Sequence, residues 1–88
     1  MMNQQSLQAF ELVNRELSKR QAECLHAIHE LGEASNHQIS KFLGLEINQI
    51  TGRTFELHKK NRIFESKRDF DGFSKVKVTF WKLRGGYK

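Results

Sequence analysis

The chain has 88 residues and a formal net charge of +5, and this length suits one domain with one modest hydrophobic core. Its residues are 38% hydrophobic and 28% charged, no apolar run approaches the roughly 18 residues of a membrane span, and the polar start MMNQQS is not typical of a signal peptide. The single cysteine, Cys24, excludes an internal disulfide, so we expect a protein of the reducing cytoplasm. Since no apolar run is long enough to span a membrane, we expect no membrane partner.

The first predicted element is a helical extension over residues 1–17. Within residues 6–17, SLQAFELVNREL, four apolar side chains fall on one helical stripe, namely Leu7, Phe10, Val13 and Leu17. This stripe can dock on the core of its own domain or pair with the same helix of a second chain. We favour the second arrangement, a homodimer formed through residues 6–17.

Two further helices follow, and the same boundary signals mark both of them. Each begins after a serine that has a glutamine three residues later, which is the pattern of a capping box. Each ends at a glycine, the residue that most readily adopts the left-handed conformation at a helix C-terminus. The signals are Ser18, Gln21 and Gly32 for the first helix, and Ser35, Gln38 and Gly44 for the second.

A third helix is predicted over about residues 46–60. Asn61 follows it and tolerates the left-handed conformation that ends a helix. The side of this helix that we expect to be buried consists of Ile47, Ile50, Thr54 and Leu57.

From residue 62 the pattern changes from helix to strand. The runs RIFESKR and KVKVTFWKL are rich in β-branched and aromatic residues, and Asp71-Gly72 between them is a strong signal for a hairpin turn. Trp81 is interpreted as a structural residue that closes one side of the hairpin over a helix. The residues that alternate on the other strand face and are predicted to be core are Val76, Val78 and Phe80.

The charge is distributed unevenly along the chain. Residues 1–55 hold five Lys/Arg and six Asp/Glu, a net charge of −1, whereas residues 56–88 hold ten and four, a net charge of +6. Four of the cations surround the tip of the predicted hairpin: Lys67, Arg68, Lys75 and Lys77. Such a patch is typical of electrostatic contact with phosphate groups, or of a solvated surface.

The order of helix, helix, glycine turn, helix and basic hairpin is that of a winged helix-turn-helix domain. Residues 35–65, SNHQISKFLGLEINQITGRTFELHKKNRIFE, resemble the DNA-binding core of MarR-like bacterial and phage regulators. The residues that match the family pattern are Ile39, Leu43, Gly44, Leu45, Ile50, Thr54 and Leu57. The resemblance implies an α+β fold, a small winged helix-turn-helix with a three-helix core, a C-terminal β-hairpin wing and an extra N-terminal helix. The domain would span residues 18–84, followed by a flexible tail at 85–88.

The resemblance also implies sequence-specific binding of double-stranded DNA by a small transcriptional regulator, in the cytoplasm of a bacterium or of the host of a phage. The recognition helix, 46–60, would lie in the major groove, and the wing, 62–83, on the backbone or in the minor groove. The residues expected to contact DNA are Asn48, Gln49, Thr51, Gly52, Arg53, Lys59, Lys67, Arg68, Lys75 and Lys77. MarR proteins have further helices that build a ligand pocket, which residues 1–17 cannot supply, so no small-molecule effector is expected.

Four residues stand out within this scheme. Gly52 lies inside a helix, where glycine costs about 1 kcal/mol relative to alanine, so either its backbone closely approaches DNA or another helix, or the position has drifted. Phe55 lies off the buried stripe and is expected to pack on the hairpin or the first helix, or else to contact a partner. Phe70 and Phe73 are expected to fold back and staple the hairpin turn, or else to touch a sugar or base step.

We expect no enzymatic activity, metal or cofactor. His26 and His29 are three residues apart on a helix, but zinc needs three or four converging ligands. Nothing in the sequence supplies an orienting acid or an oxyanion hole for Cys24 as a nucleophile. The rival hypothesis is a winged-helix protein-interaction module, such as a replication or phage-assembly adaptor, that uses the exposed phenylalanines without binding DNA.

Overall fold

The computed structural model describes residues 16–85, which form an α+β fold with three helices and one three-stranded antiparallel sheet. The helices are α1 (Lys19–Leu31), α2 (Asn36–Leu43) and α3 (Ile47–Lys59). The strands are β1 (Ala34–Ser35), β2 (Ile63–Asp69) and β3 (Val78–Leu83), in the sheet order β1-β3-β2. Within residues 16–85, no helix has both the length and the apolar character needed to cross a membrane.

Both predicted capping boxes are confirmed. The Ser18 hydroxyl accepts the Gln21 backbone N–H at 3.2 Å, and the Gln21 side-chain oxygen accepts the Ser18 N–H at 3.0 Å. Ser35 and Gln38 repeat this exchange at 3.2 and 3.1 Å. These reciprocal bonds satisfy backbone donors that have no partner within the helix, so each helix begins where its serine predicts.

The end of α3 is also as predicted, and its beginning uses a similar device. Asn61 has a φ of +61°, in the left-handed region, directly after the helix ends. At the other end, the side-chain oxygen of Gln49 accepts the Glu46 backbone N–H at 3.0 Å. Gln49 therefore has a local structural role in addition to any contact it makes outside the chain.

The core lies where the three helices meet the end of the sheet. The predicted buried residues Ile50, Thr54 and Leu57 of α3 are each at most 1% exposed, whereas Ile47 is only half-buried. The other leucine and isoleucine side chains that are at most 1% exposed are Leu25, Ile28, Ile39 and Ile63. Because apolar side chains from every helix meet here, the core fixes how α3 sits relative to α1 and α2.

The hairpin differs from the prediction at its turn. Asp71-Gly72 does not form a tight turn, because β2 ends at Asp69, β3 begins at Val78, and residues 70–77 form a loop between them. Val76, predicted to be core, lies in this loop and is 64% exposed, so that prediction is wrong. The physical reason is that the Asp71 side chain turns inward, is 7% exposed and bonds to the beginning of α2, which opens the turn.

The short strand β1 was not predicted from the sequence. Ala34 pairs with Trp81 and Ser35 with Phe80, so β1 attaches the hairpin to the segment between α1 and α2. Two residues are too few to show the alternating pattern that predicts a strand.

Most of the predicted N-terminal extension, and the tail after Gly85, lie outside the described residues. Leu17, the last residue of the predicted apolar stripe, is 9% exposed and belongs to the core of its own domain. Glu16 beside it forms an ion pair with Arg62, which fixes the chain at the entrance to α1.

Candidate nucleic-acid interface

A groove of about 310 Å³ separates the first half of α3 from the hairpin. Two cations of the hairpin, Arg68 and Lys77, line one wall. Thr51 of α3, with Asn36 and His37 from the beginning of α2, lines the other. Hydroxyl, amide, imidazole and cationic groups that face one groove can donate hydrogen bonds to an anionic ligand.

Trp81 fixes the width of this groove. Its indole N–H donates to the Asn36 side-chain oxygen at 3.1 Å, and the same oxygen accepts the Thr54 hydroxyl at 2.8 Å. The ring centroid of Trp81 lies 5.0 Å from that of His58 on α3. The prediction that Trp81 is structural is confirmed, because it connects the hairpin to both α2 and α3.

The exposed side of α3 presents an outer ridge, which we define as Asn48, Gly52, Phe55 and Lys59. The spacing of these residues places them opposite the buried stripe, and the side chains of Asn48, Phe55 and Lys59 are exposed. Apart from its chain neighbours and the backbone of its own helix, no atom lies within 4 Å of the position that a Cβ at Gly52 would occupy. Packing of another described helix against Gly52 is therefore excluded. Thr51 flanks the ridge on its groove side, and its hydroxyl donates to the Ile47 carbonyl at 3.1 Å.

Arg53 points away from the ridge toward α1. Its Nε and Nη2 donate to the two carboxylate oxygens of Glu56 at 2.9 and 2.8 Å. Gln21 of α1 donates to Glu56 as well, at 2.7 Å, and the hydrogen bonds from Gln21 and Arg53 lower the pKa of Glu56. A bidentate guanidinium–carboxylate pair is geometrically specific. Arg53 would therefore have to leave Glu56 before it could contact a base.

A second depression lies between the beginnings of α1 and α3. It is lined by Asn48, Gln49 and Arg53, together with Arg20 of α1. Arg20 could not be predicted from the sequence as part of this surface, because its position beside α3 depends on how the two helices pack. Arg20 forms an ion pair with Glu23 at 3.1 Å and is only partly exposed.

The four predicted hairpin cations do not form one cluster. Lys67 lies within 3.7 Å of Glu33 and 3.8 Å of Asp69, with its ammonium 4.8 Å from the Phe80 ring centroid, and it does not line the groove. Arg68 does line it, and its guanidinium donates to the Thr79 hydroxyl at 3.2 Å. The structure brings Arg68 and Lys77 together at the groove, whereas Lys75 is exposed in the loop.

Asp71 holds the hairpin loop against the beginning of α2. One carboxylate oxygen accepts the Ser35 hydroxyl at 2.8 Å and lies 3.1 Å from His37 Nδ1. The other accepts the backbone N–H groups of Phe73 and Ser74 at 2.9 and 3.0 Å. Burial alone would raise the pKa of Asp71, but these hydrogen bonds outweigh it and lower the pKa to about 2.

Phe55, Phe70 and Phe73 are all largely exposed to solvent. Phe55 is 59% exposed, so any packing of its ring on the hairpin or on α1 leaves more than half of it in solvent. Phe70 and Phe73 are 56% and 53% exposed, and the Phe73 ring stacks on His37 of α2 with the ring centroids 6.0 Å apart. Asp71 holds the turn, and both rings lie largely in solvent.

Cys24 is the one cysteine of the chain, and its side chain is buried. Burial raises the pKa of the Cys24 thiol to about 12, so it is not a nucleophile at neutral pH. Among residues 16–85, no three His, Cys, Asp or Glu side chains are placed to hold a metal ion.

No model of a known protein family matches this chain, and no curated protein matches it significantly.

Proposed function

We propose that this chain is a small winged helix-turn-helix domain that binds double-stranded DNA sequence-specifically, as a transcriptional regulator of a bacterium or its phage. The outer ridge of α3 enters the major groove, and the hairpin, as the wing, contacts the adjacent backbone. The supporting observation is that the outer ridge and the cationic groove lie side by side. The one acidic residue within α3, Glu56, is already bonded to Arg53 and Gln21.

The predicted contact residues would bind different parts of the duplex. Asn48 is exposed in the first turn of α3, where its amide can pair with an adenine edge. Lys59, Arg68, Lys75 and Lys77 contact phosphates and set the register of the domain on the duplex. Gln49 and Arg53 face the α1 side and contribute through the second depression, together with Arg20.

The role of the groove can be tested with a pair of double variants of equal charge. Arg68→Ala combined with Lys77→Ala removes both groove cations. Lys41→Ala combined with Lys82→Ala removes two exposed cations that lie outside the groove. We expect the first variant to bind all duplexes more weakly and to lower the slope of log affinity against log salt by about two.

The control variant should retain nearly the wild-type slope, because its lysines contact no phosphate. Equal losses in the two variants would mean that only net charge matters and would remove the groove from the proposal. Both slopes can be measured by fluorescence anisotropy on one labelled duplex, with folding checked by circular dichroism.

The alternative function is a winged-helix protein-interaction module. The observation that favours it is the exposure of Phe55, Phe70, Phe73 and Val76, each more than 50% exposed. When large exposed apolar side chains cluster, they usually mark a surface that contacts a protein, a ligand or a membrane. A tight protein partner that is insensitive to salt, with no duplex binding at low salt, would establish this alternative.

A further inference from the structure

Phe55 is the apolar member of an otherwise polar ridge. Its side chain is 59% exposed, and the ammonium of Lys59 lies 5.5 Å from the ring centroid. A phenylalanine that remains in water gives up the stabilisation available from burial. The ring therefore contributes nothing to the core, and a role for it has to be sought in what binds to the ridge.

The surface beside the ring is open. Helical side chains lean toward the helix N-terminus, so Phe55 lies over the turn that contains Gly52. Gly52 has no side chain, and no atom occupies the space where its Cβ would be. The ridge therefore has a gap in its cover of side chains at Gly52, between Asn48 and Phe55 along the helix.

The ridge favours nucleic acid over an apolar protein surface as the occupant of this gap. Its three side chains are one amide, one aromatic ring and one cation, and it contains no carboxylate. A single ring between an amide and a lysine is a small apolar area, suited to one methyl group and not to a helix. In the major groove, the group of that size is the 5-methyl of thymine.

We propose that Phe55 contacts the 5-methyl group of a thymine and so makes this protein select thymine at one position of its site. This inference rests on the proposed DNA-binding function and extends it. Asn48 and Phe55 are separated by about 10 Å along the helix axis. The selected thymine therefore lies within about three base pairs of the base that Asn48 contacts.

The test begins with selection of preferred duplexes from a random library by the full chain. Each thymine of the selected site is then replaced, one at a time, by deoxyuridine, which removes only the 5-methyl group. For the wild type, we expect replacement at one thymine position of the site to lower affinity about fourfold, as the loss of one buried methyl group implies.

Phe55→Ala should bind the all-thymine duplex more weakly and lose this sensitivity to deoxyuridine, while Phe55→Leu should retain part of it. Phe70→Ala removes another exposed ring and serves as the matched control, which should keep the full wild-type sensitivity. Circular dichroism establishes that each variant is folded, as expected for exposed positions.

The outcomes separate the inference from the function on which it rests. Sequence-specific binding with no deoxyuridine effect at any position, or a selected site without thymine, overturns the thymine contact and leaves DNA binding intact. An undiminished deoxyuridine effect in Phe55→Ala also overturns it, since another residue would then contact the methyl. Absence of duplex binding at low salt overturns both.

Discussion

At the scale of single residues, the candidate DNA-contacting side chains differ in how free they are. Asn48 is exposed, whereas the oxygen of Gln49 caps α3 and the guanidinium of Arg53 is bonded to Glu56. A side chain that already has a partner must exchange it to bind DNA and gains only the difference. Asn48 is therefore the residue of α3 most available to pair with a base edge.

Replacement of Gly52 by alanine is expected to raise the free energy of unfolding and to lower the affinity for DNA. Gly52→Ala has room for its methyl group, so it should raise the free energy of unfolding by about 1 kcal/mol. The same methyl would stand between α3 and a bound duplex and should weaken DNA binding. Denaturant unfolding and fluorescence anisotropy on the same preparation measure the two effects. A more stable variant with unchanged affinity would show that DNA does not approach α3 at this point.

At the scale of elements, the attachment of the hairpin loop to α2 depends on Asp71. Its four hydrogen bonds join residues that are far apart in the chain, including Ser35 and Phe73. The loop is thereby fixed next to the groove that Lys77 lines. The position of the hairpin relative to α3 is thus set by the buried carboxylate of Asp71 and by Trp81, and not by a tight turn.

Asp71→Asn should destabilise the fold by about 1–3 kcal/mol at neutral pH, because the amide cannot accept all the bonds that the carboxylate accepts. Since folding lowers the pKa of Asp71 from 3.8 to about 2, its ionised form favours the folded state. This stabilisation is complete above pH 4 and is lost as pH falls toward 2. The difference in unfolding free energy between wild type and variant should therefore shrink across that interval.

Asp69→Asn is the matched control for this experiment. Asp69 is exposed at the end of β2, and its ion pair with Lys67, at 3.8 Å, is a surface contact of the kind that stabilises a fold weakly. Its replacement should therefore lower the free energy of unfolding by less than about 1 kcal/mol. Comparison of the two variants removes the contribution of other carboxylates with a lowered pKa, such as Glu33. A constant wild-type difference for Asp71→Asn from pH 6 to pH 2 would contradict the assigned role.

The elements that could be predicted from the sequence are those whose determinants are local. Each capping box joins two residues only three positions apart, Ser18 with Gln21 and Ser35 with Gln38, so it can be predicted from the sequence. The carboxylate of Asp71 accepts a hydrogen bond from Ser35, which lies 36 residues earlier in the chain. No local sequence pattern predicts a bond between residues so far apart.

The same distinction applies to the candidate site. The exposure of Asn48 follows from helical periodicity, since it lies opposite the buried stripe. The bond from Gln21 to Glu56, which helps to hold Arg53, joins residues 35 positions apart and required the packing of α1 on α3. Base-reading roles are therefore less predictable from sequence than helix boundaries.

At the scale of the whole molecule, the fold places two cations from the basic last third of the sequence, Arg68 and Lys77, in the groove next to α3. Residues 56–88 have a net charge of +6 against −1 for residues 1–55. A charge distribution of this kind attracts a polyanion before any specific contact forms. Affinity for duplex DNA should therefore exist for any sequence and depend strongly on salt.

The most direct test of DNA binding by this chain is the affinity of the full chain for random-sequence duplex DNA, titrated by fluorescence anisotropy from low to physiological salt. We expect micromolar-range binding, with an affinity whose logarithm falls linearly with the logarithm of salt concentration and a slope that corresponds to several phosphate contacts. Absence of binding even at low salt would contradict the proposed function and would leave the exposed phenylalanines as the surface to explain.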